Sequence, residues 1–504
     1  MNANLYALLE AHFPSEAGQP CLLMPGGPVV HYDELAQASA RIAHALIRAG
    51  CRPGDRVAVQ SDKHWHVVAL YLACLRAGLV YLPLNTGYQK GELRYFFEDA
   101  KPRVIVCRPE TLGTVATLAG DATVLTVDAN GGELADRARG EPASFETVAS
   151  RPDDLAAILY TSGTTGRSKG ASLTHRNLAS NALALVEAWG FTRGDVLLHA
   201  LPIYHVHGLF VAIHCALMSG ARILWLPKFD AREVVESLPG ATVMMGVPTF
   251  YTRLLALPEL TRDACRGVRL FVSGSAPLLP ETFESFRERT GQTILERYGM
   301  TETGMIASNP LDGVRAAGTV GRPLPGIAVR IVDADGKPCA PGVIGNVQVR
   351  GPNVFAGYWG MPEKTREEFT VDGWFRTGDV GEWVAEGAAK DYLRLVGRAK
   401  DLIISGGLNV YPKEIEERID ALPGVVESAV IGVPDPDFGE AVTAVVVAAE
   451  GCTIDEAAII GALKGEIAAF KVPKRVHVVT ELPRNAMGKV QKNVLRQRLA
   501  ASAH

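Results

Sequence analysis

The sequence has no paired cysteines, no basic block and no long apolar run, and each of these absences argues against a class of protein. Its eight cysteines are scattered without close pairs, which disfavours a zinc site or a disulfide framework and favours a reducing cytoplasm. With a net charge of −4 and no block of Lys or Arg, neither nucleic acid nor an anionic membrane is an expected partner. The N-terminus lacks a signal-peptide pattern, and no stretch approaches the roughly 18 apolar residues of a membrane span. We therefore expect a cytoplasmic protein with small-molecule partners.

The length and the texture of the chain predict its organisation. At 504 residues, of which 47% are apolar, the chain exceeds one ordinary domain. Helical and β-rich patterns alternate from about Leu35 to Gly240, which predicts layered α/β sheets, largely parallel. Val/Ile-rich runs after Gly326 predict a β-rich subdomain. After Arg398 a compact pattern restarts, including a predicted helix from Ile454 to Phe470, and indicates a small α+β lid domain.

The most informative stretch is Tyr160–Gly170, whose residues offer hydroxyls, backbone amides and two cations with little side-chain bulk. Glycines let a backbone approach an anion, while Ser, Thr and Lys donate to phosphate oxygens. An apolar run before it predicts a buried strand, and Thr174 is a plausible N-cap for a helix to about Ala188. The stretch is not a Walker A sequence, because Ser168, Lys169 and Gly170 follow the four-residue spacer after Gly163. It predicts a phosphate-binding loop, and a plain surface loop is the alternative.

Three further motifs carry polar groups whose chemistry is ambiguous when each is taken alone. Glu302, between two threonines, could ligate Mg²⁺, which prefers oxygen, or could sit in an ordinary turn. Asp379 follows Thr-Gly and could accept a ribose diol or merely close a turn. Lys489 follows Gly488 near the C-terminus, where an exposed surface lysine is the default.

The order of these motifs resembles the adenylate-forming superfamily, which includes acyl-CoA synthetases, luciferases and peptide-synthetase adenylation domains. The resemblance rests on the phosphate loop, Tyr-Gly-x-Thr-Glu at 298–302, Thr-Gly-Asp at 377–379, Gly-Arg-x-Lys-Asp at 397–401 and Pro-Arg-Asn-x-x-Gly-Lys at 483–489. It implies ATP, Mg²⁺ and coenzyme A, and an acid activated as an acyl-AMP before a thiol displaces AMP. It also implies a large domain at 1–399, with its β-rich subdomain at about 318–398, and a lid domain at 400–504.

The resemblance also assigns expected roles to individual residues. Lys489, His205, Thr161, Lys169 and Glu302 are the expected catalytic residues, with Glu302 carrying the metal, Thr301 touching the α-phosphate, and Asp379 binding ribose with either Arg398 or Arg394. The remaining expected nucleotide contacts are Ser162, Gly163, Thr164, Thr165, Gly166, Ser275, Ala276, Pro277, Glu296, Tyr298 and Gly299. The lid domain is expected to rotate about Lys400 and to bring Ser405, Gly406 and Gly407 to coenzyme A.

The acid is indicated by the stretches at 201–208 and 246–253. His205 and His207 add donors to the expected pocket, and Arg253 suits a second carboxylate because its planar fork binds bidentately. Arg253 could equally be a salt-bridged helix residue. Both stretches look closest to bacterial malonyl-CoA synthetases, which implies malonate as the acid, with methylmalonate as a slower substrate. By position the pocket would be lined by His205, Val206, His207, Arg253, Ser273 and Met305.

Other functions remain open from the sequence. The acid could be another short or medium-chain carboxylic acid, or the chain could be a stand-alone adenylation enzyme that serves a carrier protein. A luciferase-like oxidase begins from the same adenylate, and a catalytically dead sensor would keep the fold without the chemistry. The resemblance also names Lys489 as a possible target of a lysine acetyltransferase, because acetylation would remove its charge.

Overall fold

The computed structural model describes residues 2–161, 168–405, 408–435, 438–464, 466–485 and 488–501. The α-helices are α1 Leu5–Glu10, α2 Tyr32–Arg48, α3 Trp65–Arg76, α4 Lys90–Ala100, α5 Leu112–Ala116, α6 Gly132–Ala138, α7 His175–Trp189, α8 His214–Ser219, α9 Ala231–Ser237, α10 Pro248–Leu255, α11 Pro280–Thr290, α12 Pro362–Glu367, α13 Pro412–Asp420, α14 Glu456–Leu463 and α15 Lys492–Ala501. Short 3₁₀ turns lie at Pro109–Thr111, Leu238–Gly240 and Ala399–Asp401, and a π-helical segment spans His207–Ile213.

The strands are β1 Pro20–Leu23, β2 Val29–His31, β3 Arg56–Gln60, β4 Val80–Pro83, β5 Val104–Cys107, β6 Thr123–Thr126, β7 Leu155–Thr161, β8 Lys169–Thr174, β9 Val196–His199, β10 Arg222–Trp225, β11 Val243–Gly246, β12 Leu270–Ser273, β13 Ile294–Met300, β14 Gly304–Ser308, β15 Arg322–Pro323, β16 Ala328–Val332, β17 Gly345–Arg350, β18 Gly357–Tyr358, β19 Phe375–Trp383, β20 Leu393–Arg398, β21 Ile403–Ser405, β22 Leu408–Val410, β23 Val425–Asp435, β24 Gly439–Ala448 and β25 Arg475–Val479.

Among the described residues these strands form four sheets. A nine-stranded sheet runs β15-β14-β13-β12-β11-β9-β10-β1-β2, and a seven-stranded sheet runs β18-β8-β7-β4-β3-β5-β6. The central pairs of both sheets are parallel, as β11 with β12 and β3 with β4 show. The third sheet, β16-β17-β19-β20, is antiparallel, and the fourth joins β22-β21-β24-β23 with β25 beside β24. The predicted α/β fold with a β-rich part and a small C-terminal α+β part is confirmed.

Helix α7 shows why the segment after the phosphate loop folds as the sequence predicts. The Thr174 hydroxyl accepts from the Asn177 amide at 3.2 Å, and the Asn177 side chain accepts from the Thr174 amide at 2.9 Å, so the first turn is capped in both directions. Leu178, Ala182 and Leu185 are buried on one face, as their spacing predicts. Within the described residues no helix combines the length and apolar character needed to cross a bilayer.

The prediction of a helix from Ile454 to Phe470 is wrong at its C-terminal end. Helix α14 ends at Leu463, because Lys464 adopts an extended conformation and forms an isolated bridge with Ile467. Ile467 and Phe470 still pack against the core of the C-terminal sheet. Their burial explains the apolar pattern that suggested a longer helix.

A buried lysine joins the two large sheets behind the region of the site. Lys63 follows β3, and its ammonium group donates to His199 Nδ1 at 2.7 Å and to the carbonyls of His199 and Leu226 at 2.7 and 2.6 Å. The charge also lies 4.3 Å from the centre of the Trp225 ring. His199 Nε2 in turn donates to the Gly208 carbonyl at 2.9 Å. Burial lowers the pKa of Lys63 well below its usual value, and the three acceptors satisfy all its protons.

We expect Lys63→Met to destabilise the protein by about 3 kcal/mol, because it leaves an imidazole nitrogen and two buried carbonyls without a donor. Thermal unfolding measured beside Lys90→Met, which changes an exposed lysine, checks this expectation. Equal melting temperatures for the two variants would contradict it.

Candidate active site

Four neighbouring strands end at one edge of the nine-stranded sheet. Strand β9 ends at His199, β11 at Gly246, β12 at Ser273 and β13 at Met300, and successive neighbours among them are parallel. In open α/β sheets ligands bind beyond the carboxyl ends of such strands. The two predicted acid-binding stretches, the predicted adenine segment and Glu302 follow these ends, so the topology gathers them into one region.

The ends of the predicted phosphate loop form a hairpin. Thr161, at the end of β7, pairs with Lys169 at the start of β8. The Lys169 ammonium lies 3.5 Å from Glu368 Oε1 and 4.2 Å from the centre of the Tyr358 ring. The predicted contacts Ser162, Gly163, Thr164, Thr165 and Gly166 lie outside the described residues.

Asp379, the predicted ribose contact, is buried, and each of its carboxylate oxygens accepts a hydrogen bond. Its Oδ1 accepts from Arg398 Nε at 2.8 Å, and its Oδ2 accepts from the Tyr298 hydroxyl. Arg394 points elsewhere and pairs with Glu382 at 3.0 Å. Of the two arginines that the sequence left open, Arg398 is therefore the one placed beside Asp379.

Glu302 is a buried carboxylate whose Oε1 accepts from the Tyr358 hydroxyl at 3.0 Å. Burial raises the pKa of Glu302, while Tyr358, Arg398 and Lys169 oppose that rise. The described residues contain no group of three acidic, His or Cys side chains that could cage a metal. One carboxylate beside a phosphate site still fits Mg²⁺, which is commonly held by one or two carboxylates together with substrate phosphates. Thr301, the neighbouring predicted phosphate contact, is half-buried.

Lys489 from the C-terminal part lies among the charged groups of the site. Although the residue is exposed at the surface, desolvation of its ammonium and the Arg398 charge lower its pKa, and Asp379, Asp401 and Glu302 oppose that change. Its backbone amide donates to Asn485 Oδ1 at 3.0 Å, which fixes the turn that carries it. The Lys489 ammonium is therefore within electrostatic range of Asp379, Asp401 and Glu302.

The predicted adenine segment is strained at one residue. Ser275 has φ 73°, a region that non-glycine residues seldom adopt. Ala276 and Pro277 follow it at the surface. Beneath them Glu296 Oε1 accepts from the Leu278 amide at 3.2 Å, and burial raises the pKa of Glu296 to about 7. At Gly299 a Cβ atom would lie 2.2 Å from the Gly304 carbonyl oxygen, so glycine is required for this close approach.

A buried arginine that the sequence did not single out faces the predicted acid pocket. Arg297 is 3% exposed, and its Nε and Nη2 atoms have no hydrogen-bond partner within the described part of the chain. Its guanidinium packs against Gly274, where a Cβ atom would come within 2.4 Å of Cζ. Burial lowers the pKa of Arg297 to about 9, so it remains charged at neutral pH. The nearby Ser273 hydroxyl is also buried without a partner among these residues.

The two pocket histidines are held neutral beside this charge. Burial and Arg297 lower the pKa of His205 to about 4, and they lower the pKa of His207 well below its usual value. His205 Nδ1 accepts from the His207 amide at 3.3 Å, and His207 Nδ1 lies 3.4 Å from the Ser275 hydroxyl. Arg297 thus provides a concentrated positive charge among neutral donors, which is an environment for an anion.

The other predicted acid contacts separate into two groups. Val206 and Met305 are buried, and Val206 lines a small cavity together with Thr301 and Gly304. Arg253 lies near the end of α10 and is exposed. The structure therefore places Arg297, rather than Arg253, as the buried cation of this region.

The predicted hinge lies between the third and fourth sheets. Lys400 occupies the 3₁₀ turn Ala399–Asp401, and burial of its ammonium, with Arg398 and Lys489 as like charges, lowers its pKa to about 8. Ser405 is buried at the end of β21. Gly406 and Gly407, the other predicted coenzyme A contacts, lie outside the described residues.

Sequence reasoning missed Arg297 and Tyr358. Two consecutive charged residues, Glu296 and Arg297, interrupt the otherwise largely uncharged buried strand β13, and this pattern was a usable signal. Tyr358 carries no comparable signal, because it stands among ordinary aromatic residues of the sequence.

Comparisons with known proteins agree with this arrangement. The AMP-binding enzyme family matches residues 15–359, and the AMP-binding enzyme C-terminal domain matches residues 414–489. The crystal structure of ATP-bound MatB from Rhodopseudomonas palustris is 52% identical, covers 100% of both chains and superposes with a TM-score of 0.97. The apo form of that protein gives 0.85 at the same identity and coverage, so the arrangement seen here is nearer the ATP-bound one.

Three relatives carry the names of different acid–CoA ligases. The mitochondrial malonate–CoA ligase ACSF3 of Mus musculus is 37% identical over 94% of this chain and 87% of its own length. A feruloyl-CoA synthase of Amycolatopsis is 37% identical over 94% of both chains. A sulfoacetate–CoA ligase of Cupriavidus necator is 36% identical over 97% of this chain and 96% of its own.

Proposed function

Because the chain belongs to the AMP-binding enzyme family, we propose that it is an ATP-dependent acid–CoA ligase whose acid is malonate. The acid would be activated as malonyl-AMP with release of pyrophosphate, and coenzyme A would then displace AMP to give malonyl-CoA. The observation that carries the choice of a diacid is Arg297, a buried charge with unpartnered donors. An uncompensated buried cation is costly, so a substrate that brings its own second anion fits this pocket better than a fatty acid does.

The first half-reaction needs a nucleotide held at three places. We propose that Asp379 and Arg398 hold the ribose and that Glu302 carries Mg²⁺. Thr161 and Lys169 would stand at the two ends of the loop that surrounds the β- and γ-phosphates. When bound, the metal would neutralise charge on the phosphate oxygens. Lys489 would bridge the attacking carboxylate and the α-phosphate and stabilise the charge that develops there.

The second half-reaction needs Lys489 to leave. We propose that the division at 399/400 is the domain boundary and that the C-terminal domain turns about Lys400. Ser405 would then approach the pantetheine arm. His205 would stand between the acid and the thiol, as a neutral side chain that imposes no charge on the entering nucleophile.

We make two further proposals, one about the compartment in which the enzyme works and one about its regulation by acetylation. We place the reaction in the cytoplasm, because all eight cysteines are free thiols, as a reducing compartment would keep them. We also propose Lys489 as the target of a lysine acetyltransferase, because it is exposed and because its charge is central to the first half-reaction.

Pyrophosphate release measured across acetate, butyrate, octanoate, ferulate, sulfoacetate, malonate and methylmalonate tests the proposal. We expect malonate to give the highest kcat/KM, methylmalonate a lower one, and the monoacids about 100-fold less, because they leave Arg297 unpaired. Sulfoacetate is the sharpest comparison, because its sulfonate is an anion one methylene away from the carboxylate, in the position of the second carboxylate of malonate. Octanoate or ferulate exceeding malonate would exclude the diacid assignment, and sulfoacetate exceeding malonate would change the acid while keeping the role of Arg297.

A further inference from the structure

Tyr358 touches both side chains that the proposed function places around the ATP phosphates. Its hydroxyl donates to Glu302 Oε1 at 3.0 Å, and the Lys169 ammonium lies 4.2 Å from the centre of its ring. Glu302 and Lys169 lie on different sheets, the first after β13 and the second at the start of β8. A single side chain thus connects the expected metal ligand and the expected phosphate cation.

The backbone around Tyr358 holds this side chain in place. Strand β18 pairs with β8, with Tyr358 opposite Ala171, so the tyrosine is fixed to the strand that carries Lys169. The Tyr358 amide donates to the Thr365 hydroxyl at 2.9 Å. The Phe355 ring packs edge-on against Tyr358 at 4.9 Å, and the Phe355 amide donates to the Glu302 carbonyl at 2.8 Å. Tyr358 is itself 7% exposed.

The phenol is a permanent donor at this position. A phenol is ordinarily protonated at neutral pH, and 3.0 Å from a carboxylate oxygen, which only accepts, its hydroxyl is the donor. The carboxylate of Glu302 therefore receives a directed hydrogen bond on one oxygen, which restricts its rotation. Outer hydrogen bonds of this kind orient metal-binding side chains, and their loss typically lowers metal affinity by about 10–100-fold.

We propose that Tyr358 is a positioning residue that orients Glu302 for Mg²⁺ through its hydroxyl and Lys169 for phosphate through its ring face. The proposal rests on the proposed function, in which Glu302 and Lys169 meet Mg·ATP. It assigns separate parts of one side chain to separate ligands. The two parts can be removed one at a time.

The test is calorimetric binding of ATP without acid or coenzyme A, first in EDTA and then at graded Mg²⁺ concentrations. Tyr358→Phe keeps the ring and loses the hydroxyl, so we expect the Mg²⁺ midpoint to rise about tenfold while the metal-free ATP Kd stays within twofold. Tyr358→Leu loses both parts, so we expect the same shift together with a metal-free Kd raised about threefold.

Tyr392 provides a matched control outside the site. It is buried, its hydroxyl donates to the Val314 carbonyl at 2.9 Å, and the Arg322 guanidinium lies 5.2 Å from its ring centre. Tyr392→Phe should leave both binding constants unchanged. A double-mutant cycle with Glu302→Gln guards against a general folding effect, because the Mg²⁺ shift of Tyr358→Phe should disappear when the carboxylate is already lost.

Different results would contradict the role of Tyr358 and the choice of malonate as the acid. An unchanged Mg²⁺ midpoint in Tyr358→Phe, an equal shift in Tyr392→Phe, or a shift that persists in the Glu302→Gln background would overturn the role of Tyr358. Wild-type protein that binds Mg·ATP but does not turn over malonate would contradict the acid assignment and leave this measurement valid.

Discussion

Replacing Lys489 with alanine is expected to slow the first half-reaction about 1000-fold while leaving the second nearly intact. The ammonium lies among Arg398, Asp379 and Glu302, where it would stabilise charge that develops only in the transition state, and removing one such group typically costs 10²–10³ in rate. ATP–pyrophosphate exchange measures the first step. Thioester formation from supplied malonyl-AMP and coenzyme A measures the second.

The control for Lys489→Ala is Lys474→Ala, which removes an exposed lysine that immediately precedes β25 in the same C-terminal part of the chain. It should leave both half-reactions unchanged. Enzymatic acetylation of Lys489 removes the same charge and should reproduce the alanine phenotype. Comparable losses in both half-reactions would mean that Lys489 supports the fold or the domain arrangement instead of the adenylation step.

Replacing Arg297 with methionine is expected to lower kcat/KM for malonate by about 100-fold or more, and to leave butyrate unchanged or improved. Truncating one partner of a buried charge pair costs about 2–5 kcal/mol, and malonate would lose its partner. Butyrate has no second carboxylate, and methionine removes the unpaired charge that such a substrate would otherwise bury. Arg297→Lys should recover only part of the malonate activity, because it restores the charge without the fork.

Arg253→Ala decides between the two arginines. Arg253 was the sequence-based prediction for the second carboxylate, and that role stays a prediction, but the side chain is exposed whereas Arg297 is buried. If Arg297 holds the second carboxylate, Arg253→Ala changes malonate and butyrate turnover alike. A selective loss on malonate in Arg253→Ala, with a uniform loss in Arg297→Met, would reverse the assignment.

For some residues of the site the sequence offered two alternative partners and could not choose between them. The resemblance implied a ribose contact at Asp379 but left open whether Arg394 or Arg398 assists it. The antiparallel register decides the matter, since Asp379 lies directly opposite Arg398 and Glu382 directly opposite Arg394. Likewise the apolar pattern of residues 454–470 predicted a single helix, although Ile467 and Phe470 lie beyond the end of α14 and are only partly buried against the core.

By itself the sequence determined the α/β architecture, the helix cap at Thr174 and the class of reaction, and it predicted the phosphate loop, because each depends on neighbouring residues or on the order of short motifs. Only the tertiary structure showed that Arg297 is buried beside the predicted acid pocket and that the Tyr358 hydroxyl contacts Glu302. Tyr298 meets Asp379 across 81 residues, and Tyr358 meets Glu302 across 56. Contacts of that separation are set by sheet pairing and burial. Arg297 likewise becomes informative only through its surroundings, because two of its buried donor nitrogens have no hydrogen-bond partner in the described structure.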